Sequence, residues 1–146
     1  MSKSNAWETA LLALVFNNDN AANIGDATGL RGSSTAGSLY VSLHTGDPGE
    51  AGSQTTNECA YTSYARVAVA RSGAGWTVSG NAVTNAALVQ FPQCTGSSET
   101  ATYFGIGTAS SGAGVLLYKG ALSASLAISS GIQPQFGAGD LDGTED

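Results

Sequence analysis

Leu39-Tyr40-Val41-Ser42-Leu43-His44-Thr45-Gly46-Asp47-Pro48-Gly49-Glu50 is the stretch that decides the fold class. Up to His44, the apolar residues Leu39, Val41 and Leu43 alternate with Tyr40, Ser42 and His44, the period-two pattern of a strand with one buried face. Gly46-Asp47-Pro48-Gly49 ends it, because proline presets a turn dihedral and glycine permits positive φ. Downstream the pattern recurs. Tyr64 to Arg71 alternates, with Val67 and Val69 on one face. Gly73-Ala74-Gly75 leads into Trp76-Thr77-Val78, and Gly80-Asn81 turns the chain into Ala82-Val83-Thr84. Leu88 to Phe91 is short and stopped by Pro92. Thr102 to Thr108 and Val115 to Leu122 flank one glycine-rich turn; Leu126-Ala127-Ile128 and Ile132 to Phe136 flank another. Short strands joined by such turns predict an all-β protein, mainly an antiparallel, jelly-roll-like sandwich. Its expected core is Leu39, Val41, Leu43, Val67, Val69, Trp76, Val78, Phe91, Phe104, Ile106, Leu116 and Tyr118.

Upstream of the strands the period is helical. Asn5 and Glu8 have the spacing of a capping box, and Trp7, Leu11, Leu14 and Val15 fall on one face of a short N-terminal α-helix over about residues 5–16. Asn17-Asn18-Asp19-Asn20 ends it, since these side chains compete for backbone hydrogen bonds. Residues 17–38 read as an extended loop anchored by Ile24 and Leu30, of a length that is usually functional or mobile. The acidic tail 137–146 carries almost nothing apolar and reads as solvated or as lying on a neighbour. The whole of 1–146 reads as a single domain, with the β body over about 39–136 sufficient in itself.

Only 11 % of the 146 residues are charged, where about 25 % is usual. Ser, Thr, Asn, Gly and Ala take the surface positions instead, and such side chains are covered by a neighbour at little entropic cost. The basic residues Lys3, Arg31, Arg66, Arg71 and Lys119 form no cluster and the net charge is −6, so nucleic-acid binding is excluded. No apolar run reaches the ~20 residues of a membrane span, so no membrane partner is expected. The stretch Ala6 to Phe16 contains Glu8 and lacks the flanks of a secretory signal, so the chain is expected to be made in, and to stay in, the cytosol. Cys59 and Cys94 lie outside any CxxC spacing, and two reduced thiols are expected rather than a bridge.

The sequence points to no catalytic, cofactor-binding or metal-binding residues. His44, Asp47 and Glu50 are near in sequence, but their spacing matches no ligand pattern, and capping of the turn is the expected role of Asp47. Glu50, Glu58 and Glu99 are the carboxylates a small glycan hydrolase would need, yet all fall in polar loops. Trp76 is either a sugar-stacking platform or a core plug, and the plug is the commoner use. Gly105, Gly107, Gly112 and Gly114 do not form a dinucleotide fingerprint, and Asp140-Leu141-Asp142-Gly143 lacks most of a calcium loop's ligands.

Several segments taken together are similar to a known group. Leu39 to Glu50 is followed by Thr56-Asn57-Glu58, Tyr61, Tyr64 to Val69, Trp76, Asn81 to Asn85, Phe91-Pro92, Tyr103 to Gly107 and Leu116 to Gly120. In this order they resemble small virion structural proteins of tailed bacteriophages, over residues 39 to about 136. The resemblance implies a non-enzymatic capsid decoration or cement protein with no cofactor. It would bind the major capsid protein and itself, as homodimer or homotrimer, on the phage head after assembly in the host bacterial cytoplasm. The alternative is a tail or tail-fibre junction protein, with a carbohydrate-binding surface around Trp76 and the tyrosines. Binding to the shell is expected through loop 17–38 and the acidic tail.

Overall fold

The structure is a computed structural model that describes residues 2–22, 24, 29 and 32–145. It is mostly antiparallel β with one short N-terminal helix, as the period-two pattern predicts. The chain forms two compact units, neither of them continuous in sequence. The first takes Met1–Ser38, Val69–Leu88 and Phe136–Asp146; the second takes Leu39–Ala68 and Val89–Gln135.

In the first unit, α1 (Asn5–Leu12) runs into a π-helical turn, Ala13–Asn17. The cap is Ser4, one residue before the expected Asn5: its extended backbone lets Oγ accept from the Trp7 amide at 3.4 Å. The buried face is also shifted, to Glu8, Leu12 and Phe16, leaving Trp7, Leu11, Leu14 and Val15 half-buried. Asn18 stops the helix in the left-handed conformation (φ 62°), with Asp19 N donating to the Ala13 carbonyl at 3.1 Å. Arg71 caps the last turn by donating to the carbonyls of Leu14 and Val15, both at 2.7 Å. The loop beyond is tied at its ends, since Asn18 and Ser33 exchange hydrogen bonds of 2.8 and 2.7 Å. Leu30, the second expected anchor, lies outside the described residues.

The helix packs its Phe16 ring edge-on against Trp76, centroids 4.9 Å apart. Trp76 opens β3 (Trp76–Ser79), which pairs with β4 (Ala82–Asn85) across a two-residue turn whose Gly80 takes φ 61°. Asp140, Asp142 and Thr144 stay exposed, but the acidic tail is not free: β9 (Asp142–Thr144) adds to β4, and Leu141 is buried. Asn85 causes this. Buried to 1 % exposure, it donates through its backbone amide to Leu141 O (3.2 Å) and accepts from Gly139 N (2.9 Å) and Leu141 N (2.9 Å). Its Nδ2 donates to Ala87 O and Gly137 O at 2.8 and 2.7 Å.

The main sheet has the order β2-β1-β6-β7, with β1 Ser38–His44, β2 Val67–Ala70, β6 Ser98–Gly107 and β7 Leu116–Ser129. Most of it belongs to the second unit. The segments expected as separate strands at 115–122 and 126–128 are one, β7; Leu122 to Ser125 stand opposite the single residue Thr102, and pairing resumes at Leu126. β5 (Val89–Gln90) pairs with β8 (Gln135–Phe136) in a small second ladder.

Of the expected core, Leu39, Val41, Leu43, Val69, Trp76, Phe91 and Ile106 are buried. Val67, Val78, Phe104, Leu116 and Tyr118 are only half-buried. Val67, Val78, Leu116 and Tyr118 lie on edge strands, and Phe104 lies opposite Gly120, whose missing side chain its ring covers.

Candidate functional site

The polar stretch 45–59 folds back on the end of β1. Thr45 N donates to Asn57 O at 2.7 Å and Cys59 N to Leu43 O at 2.8 Å. This corrects the half-buried reading of β1: from Val41 to His44 every residue is buried, Ser42 and His44 included. The His44 Nδ1–H donates to Thr56 O at 2.9 Å, because a carbonyl only accepts; Nε2 of the neutral ring then accepts from Ser42 Oγ at 2.8 Å. Burial holds the imidazole below its ordinary pKa of 6.5, against the opposing pull of the Thr56 carbonyl and of Glu58.

Glu58 is the carboxylate beside His44, and it is committed. Its Oε1 accepts from Arg66 Nε at 2.6 Å and from the Tyr64 hydroxyl at 3.0 Å, and its Oε2 from Arg66 Nη2 at 2.7 Å. The Arg66 side chain, 2 % exposed, also donates to Ala109 O and Gly112 O, fixing the turn after β6. The Tyr64 hydroxyl is buried enough to resist ionisation far above its ordinary value. A shallow groove of about 260 Å³ lies beside this network, bordered by Glu58, Tyr64, Arg66, Ser110 and Ser111.

Asp47 and Glu50 do not join His44. Asp47 Oδ1 accepts from Gly49 N at 2.8 Å, the turn-capping role expected of it; that bond and Lys119 lower its pKa. Both acids meet Lys119, at 3.0 and 3.2 Å. Glu99 Oε2 accepts from the amides of Ala60 and Tyr61 at 2.8 and 2.9 Å. The three carboxylates a hydrolase would need thus have three separate structural partners.

Trp76 is 1 % exposed, so it is the core plug and offers no face to a sugar. Asp140 Oδ2 accepts from Gly137 N at 2.7 Å within the tail. Cys59 and Cys94 are buried free thiols, and burial followed by Glu99 pushes Cys59 up to about 12, leaving it unreactive. Among the described residues no three His, Cys, Asp or Glu side chains converge on a common point, and no helix is long and apolar enough to cross a membrane.

The organising residues that the sequence reading passed over are Arg66, Arg71, Asn85 and Gln54. Gln54 is fully buried, its Oε1 accepting from Ala109 N at 2.9 Å. For Arg66 and Arg71 rarity was the available signal, since the chain has five basic residues in 146, and both hold backbone carbonyls in place.

Comparison with known proteins finds a matching family. None of the curated proteins compared matches the chain. A family described as podophage GP4 fiber I protein gp80 matches it over residues 2–144, from before the Ser4 cap through the last strand. The match covers the helix, the loop and the tail as well as the strands that carry the phage resemblance, so the chain belongs to this family of phage fibre proteins and is a virion structural protein.

Proposed function

We propose that the protein is a non-enzymatic component of the tail-fibre apparatus of a podophage virion. The observation that carries this reading is the family match over residues 2–144. The fibre description favours the tail over the head, so the expectation of a cement protein on major capsid subunits gives way to its alternative. A carbohydrate-binding surface centred on Trp76 is not retained, because that ring is enclosed. The architecture suits a mechanical part: the Glu58–Arg66 pair, the Lys119 bridges and the Asn85 clamp each fix a loop or tail, and none offers a free acid and base.

Immunogold labelling of purified virions tests the location, with quantitative mass spectrometry giving the copy number. The tail reading expects label at the tail and few copies per particle. Label spread over the head, at about one copy per capsid subunit, would restore the decoration reading.

A further inference from the structure

Ala51-Gly52-Ser53-Gln54-Thr55-Thr56-Asn57 lies over the end of β1 without burying one large apolar side chain. Its plug is an amide. Gln54 is fully buried, with its backbone N donating to Ala113 O at 2.8 Å and its Oε1 accepting from Ala109 N at 2.9 Å. Its Nε2 is buried and has no hydrogen-bond partner among the described residues. Lifting this segment exposes almost no hydrophobic surface and gives that orphaned Nε2 water to bond. Its local opening therefore costs little beside global unfolding. Charge anchors both ends: Asp47 and Glu50 meet Lys119 at 3.0 and 3.2 Å upstream, and Glu58 meets Arg66 at 2.6 Å downstream.

We propose that residues 51–57 are a flap that lifts when His44 takes up a proton, while the sheet beneath stays folded. The neutral ring lies under the flap, its Nδ1–H on Thr56 O and its Nε2 on Ser42 Oγ. Protonation leaves both contacts usable, because the Ser42 hydroxyl turns to accept and gives its own proton to Gly105 O at 3.3 Å. The charge is what has no place. Glu58 is already taken by Arg66, whose own charge opposes the imidazolium. Lys119, opposite Gly105 on β7, is held by Asp47 and Glu50. Tyr103 opposite His44 on β6, the Tyr64 hydroxyl on Glu58 and the neighbouring Cys59 supply hydroxyls and a thiol but no counter-charge. A buried imidazolium without a counter-charge must be hydrated, and the flap is the cover that no strand ladder holds. The anchors outlast it. The Gly49 amide and Lys119 keep Asp47 below its ordinary range, and Glu58 keeps Arg66 above its own, so Asp47 and Arg66 stay charged where His44 titrates. This device goes beyond the fibre reading and does not depend on it.

Hydrogen exchange by NMR on the full chain, at about pH 7.5 and about pH 5.5 and corrected for intrinsic rates, tests the flap. The reporters are the Gln54 amide and the Thr45 amide, which donates to Asn57 O at 2.7 Å. An exposed imidazole is about nine-tenths protonated at the lower pH, so these amides should lose protection roughly fivefold to tenfold while β6 and β7 keep theirs. His44→Gln has no proton to take up, so its ratio between the two pH values should fall to about one, however loose its flap is. Should that variant not fold, the parent chain decides: His44 is the only histidine, and the loss of protection must follow the titration of its ring signals. Flap amides equally protected at both pH values overturn the proposal. So does a loss shared equally by β6 and β7, a loss unchanged in His44→Gln, or one whose midpoint departs from that of the ring.

Discussion

His44 is the residue whose protonation bears most directly on stability. Its folded pKa lies below 6.5, so the unfolded chain binds the proton first as pH falls. The stabilisation from the neutral ring is therefore complete above about pH 6.5 and is lost progressively below it. Thermal melts at neutral pH and at about pH 5.5 should show a drop for the parent chain that is reduced in His44→Gln. Equal drops in both would place the sensitivity elsewhere. Arg66 makes a second prediction at this scale. With Glu58→Gln, a guanidinium 2 % exposed loses its counter-charge, and the cost should be about 3–5 kcal/mol in urea unfolding. The double variant Glu58→Gln/Arg66→Met removes the stranded charge, so it should be more stable than Glu58→Gln alone.

Among the elements, β1 and β6 meet where only glycine fits. A Cβ at Gly105 would stand 2.7 Å from His44 Nε2 and 2.8 Å from both Ser42 Oγ and Leu116 Cδ1. Gly105→Ala should cost about 1–3 kcal/mol by overpacking, with the unfolding midpoint as the measure. An unchanged midpoint would mean that Leu116 and the polar pair yield freely. The same glycine shows how legibility varied along the chain. Period two in 39–44 made β1 readable, and the glycine-asparagine pair made the β3–β4 hairpin readable, because both are local signals. That Ser42 and His44 are buried was not readable, because it depends on segment 45–59 folding back over them. β9 carried no strand signal at all in Asp142-Gly143-Thr144; its pairing is imposed by Asn85, which lies far away in sequence. β7 reads as two strands with Ser123-Ala124-Ser125 between them and is instead one strand with an irregularity there. The absence of any exposed platform at Trp76 followed from Phe16, a helix residue outside the face the periodicity singled out.

For the whole molecule, the division into interleaved units changes what a truncation does. The body 39–136 looked sufficient in itself, yet the first unit draws Phe16 from one end and Leu141 and β9 from the other. Deleting residues 137–146 removes Leu141 from its site and strands the polar groups of buried Asn85. The melting temperature should fall by about 10 °C or more. A loss of only a degree or two would show that β9 is an ornament on β4.

The Lys3–Glu145 ion pair, at 3.0 Å, has a consequence of another kind. Its two partners stand near opposite ends of the sequence, so the polypeptide is almost a ring, fastened by a clasp that added salt loosens. Anything fused ahead of Lys3 and anything fused after Glu145 leaves from one address on the surface. A tag or cargo at one terminus therefore starts out beside the other terminus.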